Sequence, residues 1–295
     1  MRGLIAIVSM ACASTIAGAC NRASETVPSV AAVSVTVNPA RVEAGGPILM
    51  SYSFAVANTA GTLPADEWVF VHALDDSNEL LWTDDHAPPT PTQNWKPGQT
   101  VTYTRTMFVP RSTAAGEIRV EVGLVARASG ERLPLSGLDR GMRSYEVATF
   151  AVAAPSNPVV AGEGWYDAET GEGPGREWQW SRREGHLAFR NPRVASTLYL
   201  QVNQPVAALP ASQAVEVRGP GGVLTTFQLA PGSTELVRIP ISTDQLGAAD
   251  TVDLTLEVGS TFVPAATVQL KSADTRELGI RLLNSFVGPS ETQPR

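Results

Sequence analysis

The chain has 295 residues, with 22 lysines and arginines against 29 aspartates and glutamates, and a formal net charge of −7. Nucleic-acid binders carry a basic patch or stripe, and none is visible, so nucleic acid is excluded as a partner. An acidic surface is also repelled by anionic lipid headgroups, so the folded part itself has little to hold a membrane.

Residues 1–20 read as an address. Arg2 gives a positive start, Leu4 to Ala13 form an apolar run, and Ala17-Gly18-Ala19 stand directly before Cys20. This is the layout of an export signal with a small-residue cleavage site. It also resembles the bacterial lipobox, with Ala17 where Leu is usual. The resemblance implies that Cys20 is acylated (palmitate) and becomes the mature N-terminus. A spanning helix needs about 20 apolar residues. Here Ser9, Ser14 and Thr15 dilute a run that is already short. The expectation is a lipid-anchored cell-envelope protein, with the leaflet open and plain secretion as the alternative. Cys12 would leave with the signal, so no disulfide could form and stability would rest on core burial.

Residues 21–32, NRASETVPSVAA, are small and polar, as in a flexible tether. From Val33 the pattern turns to strands. SYSFAV (51–56), WVFVHAL (68–74), VTYTRTMFV (101–109), EIRVEVGLV (117–125) and SYEVATFAV (144–152) alternate with period two. Asp75 to Asn78 supply a hairpin turn. Residues 154–158, APSNP, read as a linker. Beyond it come TLYLQV (197–202), AVEVR (214–218), LTTFQL (224–229), ELVRIPI (235–241), TVDLTLEV (251–258) and LGIRLL (278–283), with a capped helical turn at 242–246. The expected fold is all-β: two antiparallel, immunoglobulin-like β-sandwich domains at 33–153 and 159–290.

Within 69–101, VFVHALDDSNELLWTDDHAPPTPTQNWKPGQTV, and within 122–135, VGLVARASGERLPL, the residues resemble β-sandwich domains at the C-terminus of large bacterial membrane glycosyltransferases. GWYDAE (164–169), EWQWS (177–181), TFVP (261–264) and DTRELGIRL (274–282) resemble another β module of bacterial surface-polysaccharide proteins. The resemblance implies an envelope β protein linked to glycan. It supplies no active site.

Four groups of residues carry candidate chemistry. His72, Asp84 and His86, with Asp75, Asp76 and Asp85, are metal-ligand types. The alternative makes the aspartates turn and cap residues and His72 a core histidine beside Trp68, Phe70 and Leu74. The run lacks the glycine and bidentate glutamate of a calcium loop, and no metal or cofactor is expected. Trp82, Trp95, Trp178 and Trp180 are candidates for stacking on sugar rings, with core packing as the alternative. Trp82 and Trp95, near loops, are the better surface candidates. Binding by stacking alone would depend little on salt. Glu163, Asp167, Glu169 and Glu172 suit a solvated loop better than a paired-carboxylate hydrolase. Asp274, Arg276, Glu277 and Arg281 read as an ion-pair clamp where the last strand enters its sheet. No nucleophile elbow, HExxH, P-loop or CxxC is present. The expectation is a non-catalytic module that binds or scaffolds, with glycan or an envelope protein as partner. A structural role in an envelope complex is the alternative, and an unrecognised hydrolase the remote one.

Overall fold

The computed structural model describes residues 27–64, 67–172 and 175–290. Cys20 and the rest of the address lie outside these residues. The amino-terminal part forms β1 (Ala31–Asn38), β2 (Arg41–Glu43), β3 (Pro47–Val56), β4 (Glu67–Leu74), β5 (Leu80–Thr83), β6 (Thr100–Phe108), β7 (Gly116–Ala126), β8 (Arg132–Leu133), β9 (Leu135–Ser136), β10 (Leu138–Asp139) and β11 (Tyr145–Ala153). The carboxy-terminal part forms β12 (Val160–Ala161), β13 (Glu169–Thr170), β14 (Glu177–Trp180), β15 (Glu184–Arg190), β16 (Ser196–Asn203), β17 (Gln213–Gly219), β18 (Gly222–Leu229), β19 (Thr234–Ile241), the single-turn helix α1 (Thr243–Leu246), β20 (Thr251–Val258) and β21 (Arg281–Pro289). Among the described residues no helix is long and apolar enough to cross a membrane.

The protein is all-β, and its strands pair into four sheets, two on each side of residue 155. The sheet ordered β6-β3-β1-β9 faces the sheet ordered β10-β11-β7-β4-β5, to which β2 and β8 attach. Ile48, Met50, Tyr52 and Phe54 of β3 meet Val69 and Val71 of β4 in the core between them. In the second sandwich the sheet ordered β12-β15-β20-β17-β18 faces the sheet ordered β13-β14-β21-β16-β19. Leu198, Leu200 and Val202 of β16 pack there with Leu187, Leu254 and Val217. Each fully buried side chain of this size contributes about 1.5–3 kcal/mol of burial free energy, and the alternation that defines these faces is the one written in the sequence. The pairings are antiparallel apart from the short β1–β9 and β2–β11 pairs.

Three local expectations are corrected. The first strand begins at Ala31, not Val33, because Ala31 is 1% exposed and packs in the core. His72 is not a core histidine. Val69, Val71 and Ala73 turn inward, so Phe70 and His72 lie on the outer face of their sheet, where Arg132 covers the Phe70 ring. Arg276 and Glu277 lie before the last strand, which starts at Arg281. The capped turn is present: Ser242 accepts from the Gln245 amide, and the Gln245 side chain accepts from the Ser242 amide.

The two sandwiches touch along a narrow seam. Arg111 donates to Ser285 Oγ and to the Val159 carbonyl at 3.5 Å. Ser112 Oγ donates to Glu177 at 2.9 Å, and Arg238 to Thr106 Oγ1 at 3.0 Å. In the linker, Ser156 donates to Glu43 from both its amide and its hydroxyl. Gly175 sits directly over Trp82 with φ +69°, and a Cβ added there would lie 2.5 Å from Trp82 Cβ. Only glycine fits this approach and this dihedral together.

Candidate functional site

A cleft of about 390 Å³ opens between the sandwiches. Its floor is the outer face of the β14-β21-β16 part of the second sandwich. Residues opposed across a ladder share a face. Leu282 pairs with Gln179 and turns into the core, so Arg281, opposite Trp180 and Asn203, turns outward. A bulge between Gln201 and Val202 then changes the phase of β21. Asn284 pairs with Gln201, and Ser285 pairs with the core residue Leu200. Arg281, Leu283 and Asn284 therefore all line the cleft. Bulges re-aim side chains in this way. The opposite wall is Trp82 and Thr83 of β5 and Asp84 just after it, with Thr106 and Phe108 of β6.

The floor is half-buried and rich in planar polar groups. Arg281 Nε donates to Asn203 Oδ1 at 2.7 Å, and Asn284 Nδ2 donates to Gln201 Oε1 at 2.7 Å. The amide nitrogens of Asn203 and Gln201 and the amide oxygen of Asn284 have no partner among the described residues. Each amide that holds its neighbour in place thus keeps one group for a ligand. Sequence reading missed Asn203, Gln201 and Asn284, and placed Arg281 in an ion-pair clamp. The available signal was Gln201-x-Asn203, two outward-facing amides on a strand that would usually carry charge or threonine there.

Of the four candidate stacking residues, three are withdrawn. Trp82 and Trp95 are each 3% exposed, although both stand near loops. Trp82 packs edge-on to Phe150 at 6.3 Å and donates to Met107 Sδ at 3.3 Å, so it reaches the cleft only as wall. Trp95 packs on Phe54 and donates to the Thr90 carbonyl at 2.9 Å. Trp180, 9% exposed, lies edge-on to Phe262. Trp178 is half-buried and lines the cleft floor. Its Nε1 donates to Glu169 at 3.1 Å, fixing the ring, and the Trp180 indole donates to the same oxygen at 3.3 Å. Glu169 is the one member of its acidic run built into the site. Glu163, Asp167 and Glu172 are exposed.

Asp274 and Arg276 do form the expected ion pair, at 2.7 Å, and Arg276 adds Glu169 at 2.8 Å. Hydrogen bonds from the Arg276 guanidinium, joined by one from its backbone amide, hold the Asp274 carboxyl below its ordinary range. Glu277 instead accepts from Thr261 Oγ1 at 2.6 Å. Arg281 is not part of the pairing. Its guanidinium lies over the rings of Trp178 and Trp180, at 5.3 and 5.4 Å.

The His72, Asp84 and His86 group does not converge on a common point. Among the described residues no set of three His, Cys, Asp or Glu side chains is placed to hold a metal ion. His86 sits opposite Val69 in an antiparallel bridge. His86 Nδ1 lies 2.7 Å from the Asp84 carbonyl and Nε2 lies 2.9 Å from Tyr103 Oη. A neutral ring satisfies both by donating from Nδ1 and accepting at Nε2. Burial pushes the His86 pKa below its ordinary value, and the backbone bond to Asp84 opposes this. The Asp84 carboxylate accepts two bonds from Arg105, at 2.6 and 2.9 Å. Asp75 accepts from the Ser77 and Glu79 amides, which makes it the turn residue.

No protein-family model matches the chain, and no curated protein matches it. Among solved structures it is similar to carbohydrate-binding modules of the β-sandwich superfamily, with 12% identity, a TM-score of 0.24, and coverage of 88% of this chain and 100% of that one. It is also similar to tandem CBM51 modules of a family 98 glycoside hydrolase from Streptococcus pneumoniae, with 11% identity, a TM-score of 0.26, and coverage of 82% and 84%. A third likeness is to a secreted serine protease from Vibrio cholerae, with 9% identity, a TM-score of 0.26, and coverage of 87% of this chain and 51% of that one. TM-scores this low bear on neither ligand nor activity.

Proposed function

We propose that this chain is a non-catalytic glycan-binding protein of the bacterial cell envelope. In this reading lipid on Cys20 holds it at a membrane, and the glycan lies in the cleft between the sandwiches. The observation that carries it is the cleft floor: a fixed, half-buried Trp178 beside three amide side chains with uncommitted polar atoms. A sugar ring offers an apolar face for an indole and hydroxyls that both donate and accept, which amides match. The envelope address rests on the pattern of residues 1–20 alone. Hydrolysis of a glycosidic bond uses two carboxyl groups flanking it. The cleft carboxylates are engaged elsewhere, Asp84 by Arg105 and Glu177 by Ser112.

Affinity electrophoresis against a panel of bacterial surface polysaccharides tests the proposal. At least one polysaccharide should retard the protein and keep its chain length on prolonged incubation. Trp178→Ala and Asn203→Ala should abolish retardation with the β circular dichroism retained. Unchanged retardation of both variants would remove the cleft as the site. Shortening of the polysaccharide would overturn the non-catalytic reading.

A further inference from the structure

Arg281 is a half-buried cation on the cleft floor with no ion-pair partner among the described residues. Its Nε is committed to Asn203, and its two terminal nitrogens have neither a hydrogen-bond nor an ion-pair partner among the described residues. The nearby Glu169 is already used. Its Oε1 accepts from Arg276, and its Oε2 accepts from the indoles of Trp178 and Trp180. Those same indoles lie against the Arg281 guanidinium. Burial of a charge is costly, and here it pulls the Arg281 pKa down from its usual range, opposed by the charge of nearby Glu169. Arg276, five residues earlier, has two carboxylates. The contrast marks Arg281 as a cation held ready, not as part of the clamp.

The surroundings agree in sign. Arg111, Arg176 and Arg281 line the cleft and the pocket that adjoins it, against Asp84 and Glu177. Asp84 is neutralised by Arg105. The balance is positive, although the whole chain carries a net charge of −7.

We propose that the glycan bound in this cleft is acidic, and that a carboxylate or phosphate on one of its sugars seats against the two terminal nitrogens of Arg281. This rests on the cleft as a glycan site. The free end of a guanidinium whose Nε is occupied still presents two parallel N–H donors, the fork that matches two oxygens of either group. Trp178 then stacks on the same or the adjoining ring. The weak salt dependence expected from stacking alone is replaced by a marked one, because an ion pair is formed.

The test uses the full chain and the acidic and neutral members of the polysaccharide panel. Acidic members should bind and neutral ones should not, with binding weakened by high salt. Arg281→Gln should lower affinity about tenfold or more, and Arg281→Lys should recover part of it. Carbodiimide activation of the polysaccharide's carboxylates followed by borohydride reduction, or its dephosphorylation, should each abolish binding only where that group is the source. These ligand-side treatments decide the matter even if Arg281→Gln unfolds. Binding of neutral members that Arg281→Gln leaves unchanged would overturn the acidic ligand and spare the cleft. Acidic binding that survives both treatments would do the same. Failure of wild-type protein to bind any member would remove the cleft reading and this proposal with it.

Discussion

Truncating Trp82 to alanine separates wall from platform. The Trp82 indole is 3% exposed, packs on Phe150 and donates to Met107 Sδ. Replacing a buried aromatic by alanine costs about 3–5 kcal/mol through lost burial and the cavity left behind. That is a large share of the roughly 5–15 kcal/mol that holds a typical domain folded. Trp178→Ala removes a half-buried ring and one hydrogen bond to a charged group, for about 2–3 kcal/mol. Urea denaturation followed by far-ultraviolet circular dichroism measures both. The two halves can unfold separately, so the transition to compare for Trp82 is that of the amino-terminal sandwich. A loss below about 1 kcal/mol for Trp82→Ala, or one larger than that of Trp82→Ala for Trp178→Ala, would refute the assignment of wall and platform.

Three further outcomes follow. His86 is held neutral by burial, so its folded pKa lies below the ordinary 6.5. Its contribution is fully present above about pH 6.5, is lost as the pH falls below that value, and stops falling beneath the folded pKa. His72 shifts in the same direction. The measurement is therefore the difference in stability slope between wild type and His86→Gln from pH 7 to about 5, and equal slopes would contradict it. Cys20→Ser should release the protein from membranes or leave it unprocessed, and intact-mass analysis showing an unmodified mature N-terminus elsewhere would end the lipid-anchor proposal. The segments 31–154 and 158–295, expressed separately, should each give a β-type spectrum but melt below the whole chain, because each loses the seam around Arg111 and Trp82. A helical spectrum from either would contradict separate β domains.

The strands with uninterrupted alternation were legible in the sequence. SYSFAV, EIRVEVGLV and TVDLTLEV each fall inside a strand, because one face is buried and the other is not. The last strand was not. The bulge at Leu283 breaks the period, so RLLNSFV reads as no strand, and the expected segment 278–283 starts too early. EGHLAFR was missed because Gly185 leaves only Leu187 and Phe189 as apolar residues on its inward row, yet it forms β15. WVFVHAL was found but turned the wrong way round, since both of its faces are apolar and only packing shows which one meets the opposite sheet. The cleft could not be read at all. It joins Asp84 and Thr106 to Asn203 and Arg281, residues whose proximity depends on how two sandwiches meet and not on any local pattern.

Hydroxyl-radical footprinting with a retarding polysaccharide tests the central claim directly. Bound glycan should protect Trp178 and Leu283 on the cleft floor. Met142, 85% exposed on the first sandwich, should react as it does in the free protein. Unchanged reactivity at Trp178 and Leu283 under saturating polysaccharide, or protection confined to Met142 and its neighbours, would contradict the claim that glycan lies between the sandwiches.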